Sequence, residues 1–161
     1  MISVFSELPT LNLPQAELRI ETDGTGRMRV WDAQRRRMVA MTPEEWVRQN
    51  FVEMLITVKG YMRGRVGNEV SVDLNGIRHR CDTVVFDSAG MPLMIVEYKS
   101  PAVAITQTVF DQIARYNMVL RAKYLVVSNG LSHYCCEPDY ERGSYRFLRD
   151  IPAAGPEDHT S

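Results

Sequence analysis

Ile77-Arg-His-Arg-Cys-Asp-Thr-Val-Val-Phe-Asp-Ser-Ala-Gly-Met-Pro-Leu-Met-Ile-Val-Glu-Tyr-Lys99 contains two runs, Ile77 to Asp87 and Pro92 to Lys99, rich in β-branched and aromatic residues. Val84-Val85-Phe86 and Met94-Ile95-Val96 are unbroken apolar triplets. Strands covered on both faces read this way. A two-residue turn within Ser88-Ala89-Gly90-Met91 sets Phe86 against Leu93, Val84 against Ile95 and Asp82 against Glu97. Side chains directly opposed in an antiparallel pair have Cβ atoms roughly 5 Å apart, so two carboxylates there repel unless something positive lies between them. A divalent cation removes the repulsion. Magnesium prefers oxygen ligands, keeps several waters and takes one or two protein carboxylates, which matches this pair. Period-two alternation puts Lys99 on the face of Glu97. An ammonium there can hold and help deprotonate a water while the metal polarises a phosphodiester. The plainer reading of Asp82, Glu97, Lys99 and Arg80 is a cross-strand salt-bridge cluster without chemistry.

Outward from this hairpin, Glu69 to Leu74 is a strand joined to Ile77 by Asn75-Gly76, a favoured two-residue turn. Before it, Thr42-Pro43-Glu44-Glu45 carries an N-cap hydroxyl, a proline at the first helical position and a glutamate three residues after the cap. Trp46, Val47, Phe51, Met54, Leu55 and Val58 repeat at helical spacing, which predicts a helix to about Lys59 that stops at Gly60. Leu18 to Thr22 and Arg27 to Asp32 flank Asp23-Gly24-Thr25-Gly26 as a first hairpin. Past Pro101, Val109, Phe110, Ile113, Tyr116, Asn117 and Leu120 fall on one side of a helix from Thr106 to about Arg121. Short strands follow at Tyr124 to Ser128, Ser132 to Cys136 and Tyr145 to Leu148. The predicted fold is α/β: a mixed β-sheet flanked by helices, with an additional N-terminal hairpin. Residues 1–17 read as an arm, 18–150 as the domain, and 151–161, rich in Pro, Gly, Ala and acidic residues, as a disordered tail.

With 161 residues, 45% of them hydrophobic, the chain has material for one core and not two. No apolar run approaches the length of a membrane span, and the start lacks the charge pattern of a signal peptide, so a cytoplasmic protein with no membrane partner is expected. Net charge is −1, which announces no nucleic-acid partner. Two local basic groups do exist: Arg27, Arg29, Arg35, Arg36 and Arg37, then Arg63, Arg65, Arg78 and Arg80. Cys81, Cys135 and Cys136 do not form a disulfide framework. Together with His79 and His133 they lack zinc-site spacing, because adjacent cysteines on a strand point to opposite faces. Nothing orients a base toward any thiol, so buried cysteines account for them.

Over about residues 28 to 136 the sequence resembles the N-terminal nuclease domain of type I restriction enzyme R subunits, in a small stand-alone form. The resemblance rests on Thr42-Pro-Glu-Glu-Trp-Val-Arg48, Arg80-Cys-Asp82, Glu97-Tyr-Lys99 and Phe110-Asp-Gln-Ile-Ala-Arg-Tyr116. It implies a PD-(D/E)XK nuclease of the RecB-like type, with a restriction-endonuclease-like three-layer sandwich. Asp82, Glu97 and Lys99 would be catalytic, and Mg²⁺ or Mn²⁺ would be held by Asp82 and Glu97. Gln112 and Tyr116 match the family's Gln-x-x-x-Tyr pattern and, four residues apart, share a helix face. An acidic residue of the first helix is implied as a further ligand, with Glu45 the best placed and Glu69 a second candidate. Glu45 also stands where a capping glutamate belongs. DNA is the implied partner, met by Arg48, Arg80, Gln112 and Tyr116. Paired cuts in duplex DNA would favour a homodimer, and other restriction-modification or motor subunits are further implied partners. Cys81 replaces the family's usual proline before Asp82. R subunits carry helicase-like motor domains after the nuclease domain, and these residues include none, so the resemblance implies no ATP-driven translocation. The rival reading is a DNA-binding or subunit-interaction module that kept the fold without turnover.

Overall fold

The computed structural model describes residues 8–156. Nine strands and two α-helices follow one another as β1 (Ile20–Thr22), β2 (Met28–Asp32), β3 (Arg37–Ala40), α1 (Pro43–Thr57), β4 (Val66–Leu74), β5 (Ile77–Phe86), β6 (Pro92–Tyr98), α2 (Gln107–Met118), β7 (Tyr124–Ser128), β8 (His133–Asp139) and β9 (Ser144–Leu148). Strands β4 to β9 form one sheet in chain order, antiparallel throughout except for the parallel pair β6–β7. A parallel pair needs a crossover, and α2 is that crossover. Helix α1 packs one face of the sheet, with Val47, Phe51 and Leu55 against Val85, Met94, Val96 and Val126. Helix α2 packs the other, with Phe110 and Ala114 against Val84, Ile95, Leu125 and Val127. The sheet is therefore the middle of three layers, and the apolar triplets of β5 and β6 are buried on both sides.

Helix α1 begins as its sequence dictates, with Thr42 Oγ1 accepting from the Glu45 backbone N–H at 3.0 Å. It ends before Gly60, whose φ of 85° is left-handed. In the β5–β6 hairpin the turn differs from expectation. The Asp87 N–H donates to the Met91 carbonyl and the Gly90 N–H to the Asp87 carbonyl, so Ser88 to Gly90 form a three-residue loop with Gly90 at φ 79°. Asp87 Oδ1 stabilises the loop by accepting from the N–H groups of Ala89 and Met91. Phe86 consequently pairs with Pro92 rather than Leu93. A bulge then absorbs Leu93, and Val84 meets Ile95 as the alternation predicts. The extra loop residue and the bulge cancel.

The N-terminal hairpin gains a third strand, β3, giving a separate sheet in the order β1-β2-β3. The turn between β2 and β3 passes through Arg36 at φ 55°, in a stretch of charged residues that carries no turn signal. Asp32, at the end of β2, ties this sheet to the domain. It is fully buried, accepts from Arg35 Nε at 2.5 Å and from Asn68 Nδ2 at 3.0 Å, and takes the backbone N–H groups of Gln34 and Arg35. The tail also differs from expectation over its first residues. Ile151 is buried, Tyr61 donates its hydroxyl to the Pro152 carbonyl, and the Ala154 N–H donates to Lys59. Residues 157–161 of the expected tail and 1–7 of the expected arm lie outside the described residues.

Burial alone would raise the Asp32 carboxyl, but the Arg35 backbone N–H, the Asn68 amide and the Arg35 guanidinium outweigh it and hold the group below its ordinary 3.8. Its contribution to stability is thus fully present above that value and lost as pH falls from there through the lower value of the folded state. Asp32→Asn should cost about 3–5 kcal/mol at neutral pH, the penalty for breaking a buried ion pair. Denaturant titrations of the variant and the parent should begin to draw together only as pH falls below about 4.

Candidate active site

The sheet exchanges its faces at one rung. Along β4, Val66 packs on the α1 side, yet Val70, Val72 and Leu74 pack on the α2 side. Along β5, Val85 faces α1, and Cys81, four residues before it, joins the α2 cluster. With period two, neither set can share a strand without one residue out of step. Glu69 and Asp82 are those residues. They fall between the paired Asn68–Thr83 and Val70–Cys81, and Glu69 adopts φ 54°, a left-handed conformation uncommon for its type. Register is kept because both strands carry the extra step.

At this rung the backbone of Asp82 turns to other partners. Its carbonyl accepts from Arg48 Nη1 at 3.3 Å, and its Oδ2 accepts from the Tyr98 backbone N–H at 2.9 Å. The second contact draws the Asp82 carboxylate to the end of β6, against Glu97. Burial pushes the Glu97 carboxyl up to about 9, the Asp82 charge and side chain push the same way, and the Asp82 backbone N–H and the Lys99 charge pull it down. Glu97 Oε1 is buried without a hydrogen-bond partner. Lys99 is half-buried just past the strand, its backbone N–H held by the Ser128 carbonyl at 2.9 Å. The structure thus gathers Asp82, Glu97 and Lys99 at the C-terminal end of β6.

Across from Glu97, the face of α2 brings the other group of predicted residues to the same place. Arg80, Glu97, Gln112, Ile113, Tyr116 and Asn117 line one cavity of about 200 Å³. Tyr116 is half-exposed and packs on His79 with ring centroids 4.7 Å apart. Arg80 is exposed at the mouth, with Nε 2.8 Å from Glu69 Oε2.

Glu45 and Arg48 are placed elsewhere. The Glu45 carboxylate is bound by Arg35 and Gln49, with Arg48 Nε at 3.6 Å. Arg48 is 5% exposed, pairs with Glu69 at 2.7 Å and stacks over the Tyr98 ring at 5.7 Å. Its guanidinium faces inward, where it meets no polynucleotide. Glu69 is spent between Arg48 and Arg80, which hold its carboxyl down against the effect of burial. Among the described residues no third His, Cys, Asp or Glu joins Asp82 and Glu97 in a metal-holding group. Several of the sequence's basic residues likewise serve ion pairs: Arg35 with Asp32, Arg63 with Glu53 and Arg78 with Asp73. Burial pushes the thiols of Cys81, Cys135 and Cys136 up to about 12, which leaves them neutral and unsuited to zinc or nucleophilic chemistry.

Asn117 also lines this cavity, although its spacing groups it with the apolar face of α2. A buried amide on an apolar face was the available signal. The donor set fits a hard divalent cation. Two adjacent carboxylates, one with an oxygen lacking any partner, supply oxygen ligands, and the cavity leaves room for waters.

The description "type I restriction enzyme R protein N terminus" fits the family model that matches residues 43–152. A search of curated proteins finds no match. Among solved structures, the chain is similar to a fragment of an HsdR subunit of a type I restriction enzyme from Vibrio vulnificus YJ016. That match has a TM-score of 0.50 and 20% identity, and covers 68% of this chain and 23% of that one. At this identity the likeness concerns the fold, and it agrees with the three-layer sandwich. No helix of the described residues is long and apolar enough to cross a membrane.

The raised Glu97 carboxyl has a sign that can be checked. A carboxyl that titrates at 4.5 when unfolded and about 9 when folded makes the metal-free fold lose stability as pH rises through that window. Glu97→Gln, which carries no such charge, should melt higher than the parent in chelator. The margin should be larger at about pH 8 than at about pH 5, and a saturating divalent cation should narrow it.

Proposed function

The chain belongs to the family of type I restriction enzyme R protein N termini, and on that premise we propose that it is a Mg²⁺- or Mn²⁺-dependent endonuclease of the PD-(D/E)XK type acting on DNA. The observation that carries this reading is the buried Glu97 oxygen with no partner, set against the Asp82 carboxylate. Two like charges in a half-buried position are unstable unless a cation or a proton accompanies them.

Asp82 and Glu97 hold the cation, and the Tyr98 N–H fixes the orientation of the Asp82 carboxylate. When bound, the cation polarises a phosphodiester oxygen and acidifies a coordinated water. Lys99, whose charge acts on Glu97, holds the attacking water at the same edge and offsets the charge that develops on the phosphate. Gln112 and Tyr116 present an amide and a hydroxyl from one face of α2, where they meet the backbone of the bound strand. Arg80, exposed at the mouth, adds a phosphate contact. The reading places the chain in the cytoplasm with DNA and other restriction-modification subunits as partners, and a second copy where both strands are cut.

The test is cleavage of supercoiled plasmid by the purified chain with Mg²⁺ or Mn²⁺. Lys99→Ala should lower the rate by about 10²–10³-fold and leave the thermal midpoint within a few degrees of the parent. Cleavage by the variant at the parent's rate would remove Lys99 from the chemistry. A parent that binds DNA and never cuts it would favour the silent binding module.

A further inference from the structure

Two residues that line the cavity between β6 and α2 each carry a buried oxygen without a hydrogen-bond partner: Glu97 Oε1 and Asn117 Oδ1. Asn117 is 1% exposed. Which end of its amide is oxygen follows from α2 itself, because Nδ2 donates to the Ile113 carbonyl at 2.9 Å. The flipped amide would set oxygen against oxygen. That bond fixes the amide and leaves Oδ1 as the unpaired atom of a residue that lines the cavity. Buried polar atoms are nearly always paired, and each exception calls for a specific cause.

With Glu97 ionised, both orphans are acceptors, so neither can satisfy the other. The missing component is a donor. On the lining, the Arg80 guanidinium is directed to Glu69 at 2.8 Å, and Gln112 and Tyr116 lie at the open side. A cavity of about 200 Å³ has room for several waters, at ~30 Å³ each. A hard divalent cation on two carboxylates keeps most of its waters, and those waters need acceptors that fix their orientation.

We infer that Asn117 is a positioning residue of this site, its Oδ1 accepting a hydrogen bond from a water of the hydrated divalent cation held by Asp82 and Glu97. The inference rests on the nuclease reading and extends it to a residue outside the Asp, Glu-x-Lys and Gln-x-x-x-Tyr pattern. It also gives the Nδ2–Ile113 bond a purpose, since that bond aims the amide oxygen.

Calorimetric titration of Mg²⁺ and Mn²⁺ into the full chain tests it. Asn117→Leu and Asn117→Ala both remove the acceptor and should weaken cation binding about 10- to 100-fold. In chelator, Asn117→Leu should melt no lower than the parent, since it relieves an unpaired buried oxygen. Asn117→Asp keeps an oxygen in place and should bind the cation at least as tightly as the parent. Parent-like affinity in Asn117→Leu overturns the inference, as does equal loss in Asn117→Asp. Instability of both acceptor-free variants in chelator also overturns it, in favour of a structural role. A parent that takes up no cation overturns the nuclease reading as well, whereas a parent that binds while Asn117→Leu binds equally well leaves that reading standing.

Discussion

Two carboxylates sit together at the edge of an apolar sheet, and much of the surrounding structure exists to keep them there. Asp82 and Glu97 come from neighbouring strands whose adjacent residues, Val84, Ile95 and Val96, are buried. Like charges in such a position resist approach, and burial adds to the cost. Something must hold Asp82 in place, and the Tyr98 N–H does so directly. That bond replaces a ladder rung, so the sheet gives up regular pairing at the point where chemistry is expected. Bulges and irregular strands next to functional sites follow this logic.

The exchange of faces at Glu69 and Asp82 explains how one hairpin serves both halves of the domain. Below the rung, Val70, Val72, Leu74 and Cys81 pack toward α2. Above it, Asn68 and Thr83 turn toward α1, where Thr83 donates to Asn68 and receives the Tyr98 hydroxyl. Arg48 spans the break from α1, bonding the Asp82 carbonyl and Glu69. Glu45, Arg35 and Asp32 continue this chain of ion pairs to the N-terminal sheet. Residues of the Thr42-to-Arg48 segment thus carry the back of the site rather than its surface. A buried charge network of this kind adds little net stability over an apolar core. It does fix which way the strand faces, and that decides where Asp82 points.

Much of this was readable in advance, for reasons that differ from residue to residue. The triplets at Val84 and Ile95 set the register because a slip by one residue would move apolar groups to the wrong face. The details of the turn were hidden, since Asp87 and Gly90 support a three-residue loop that a two-residue reading misses, and the bulge at Leu93 restores the same pairing. The third N-terminal strand was not visible because Arg35-Arg36-Arg37 reads as a solvated basic run, yet Arg35 is drawn inward by Asp32 and Glu45. Arg48 read as a phosphate ligand for a similar reason. Charge is legible in a sequence, but the partner that consumes it is not. The same holds for the start of the tail, where Pro152 and Ala154 are fixed by Tyr61 and Lys59.

Helix α2 owes its part in the site to topology. A parallel β6–β7 pair obliges the chain to cross one face of the sheet as it returns, and the crossover leaves the end of β6 where Glu97 and Lys99 lie. The helix therefore passes over the residues it has just followed in sequence. Its buried positions, Phe110 and Ala114, anchor it on Ile95 and Val127. Gln112, Tyr116 and Asn117 fall where the anchored face meets the site. Placement of this sort needs no separate specification: once the helix is apolar on one side, the residues beside that stripe are delivered to the carboxylates by the connection itself.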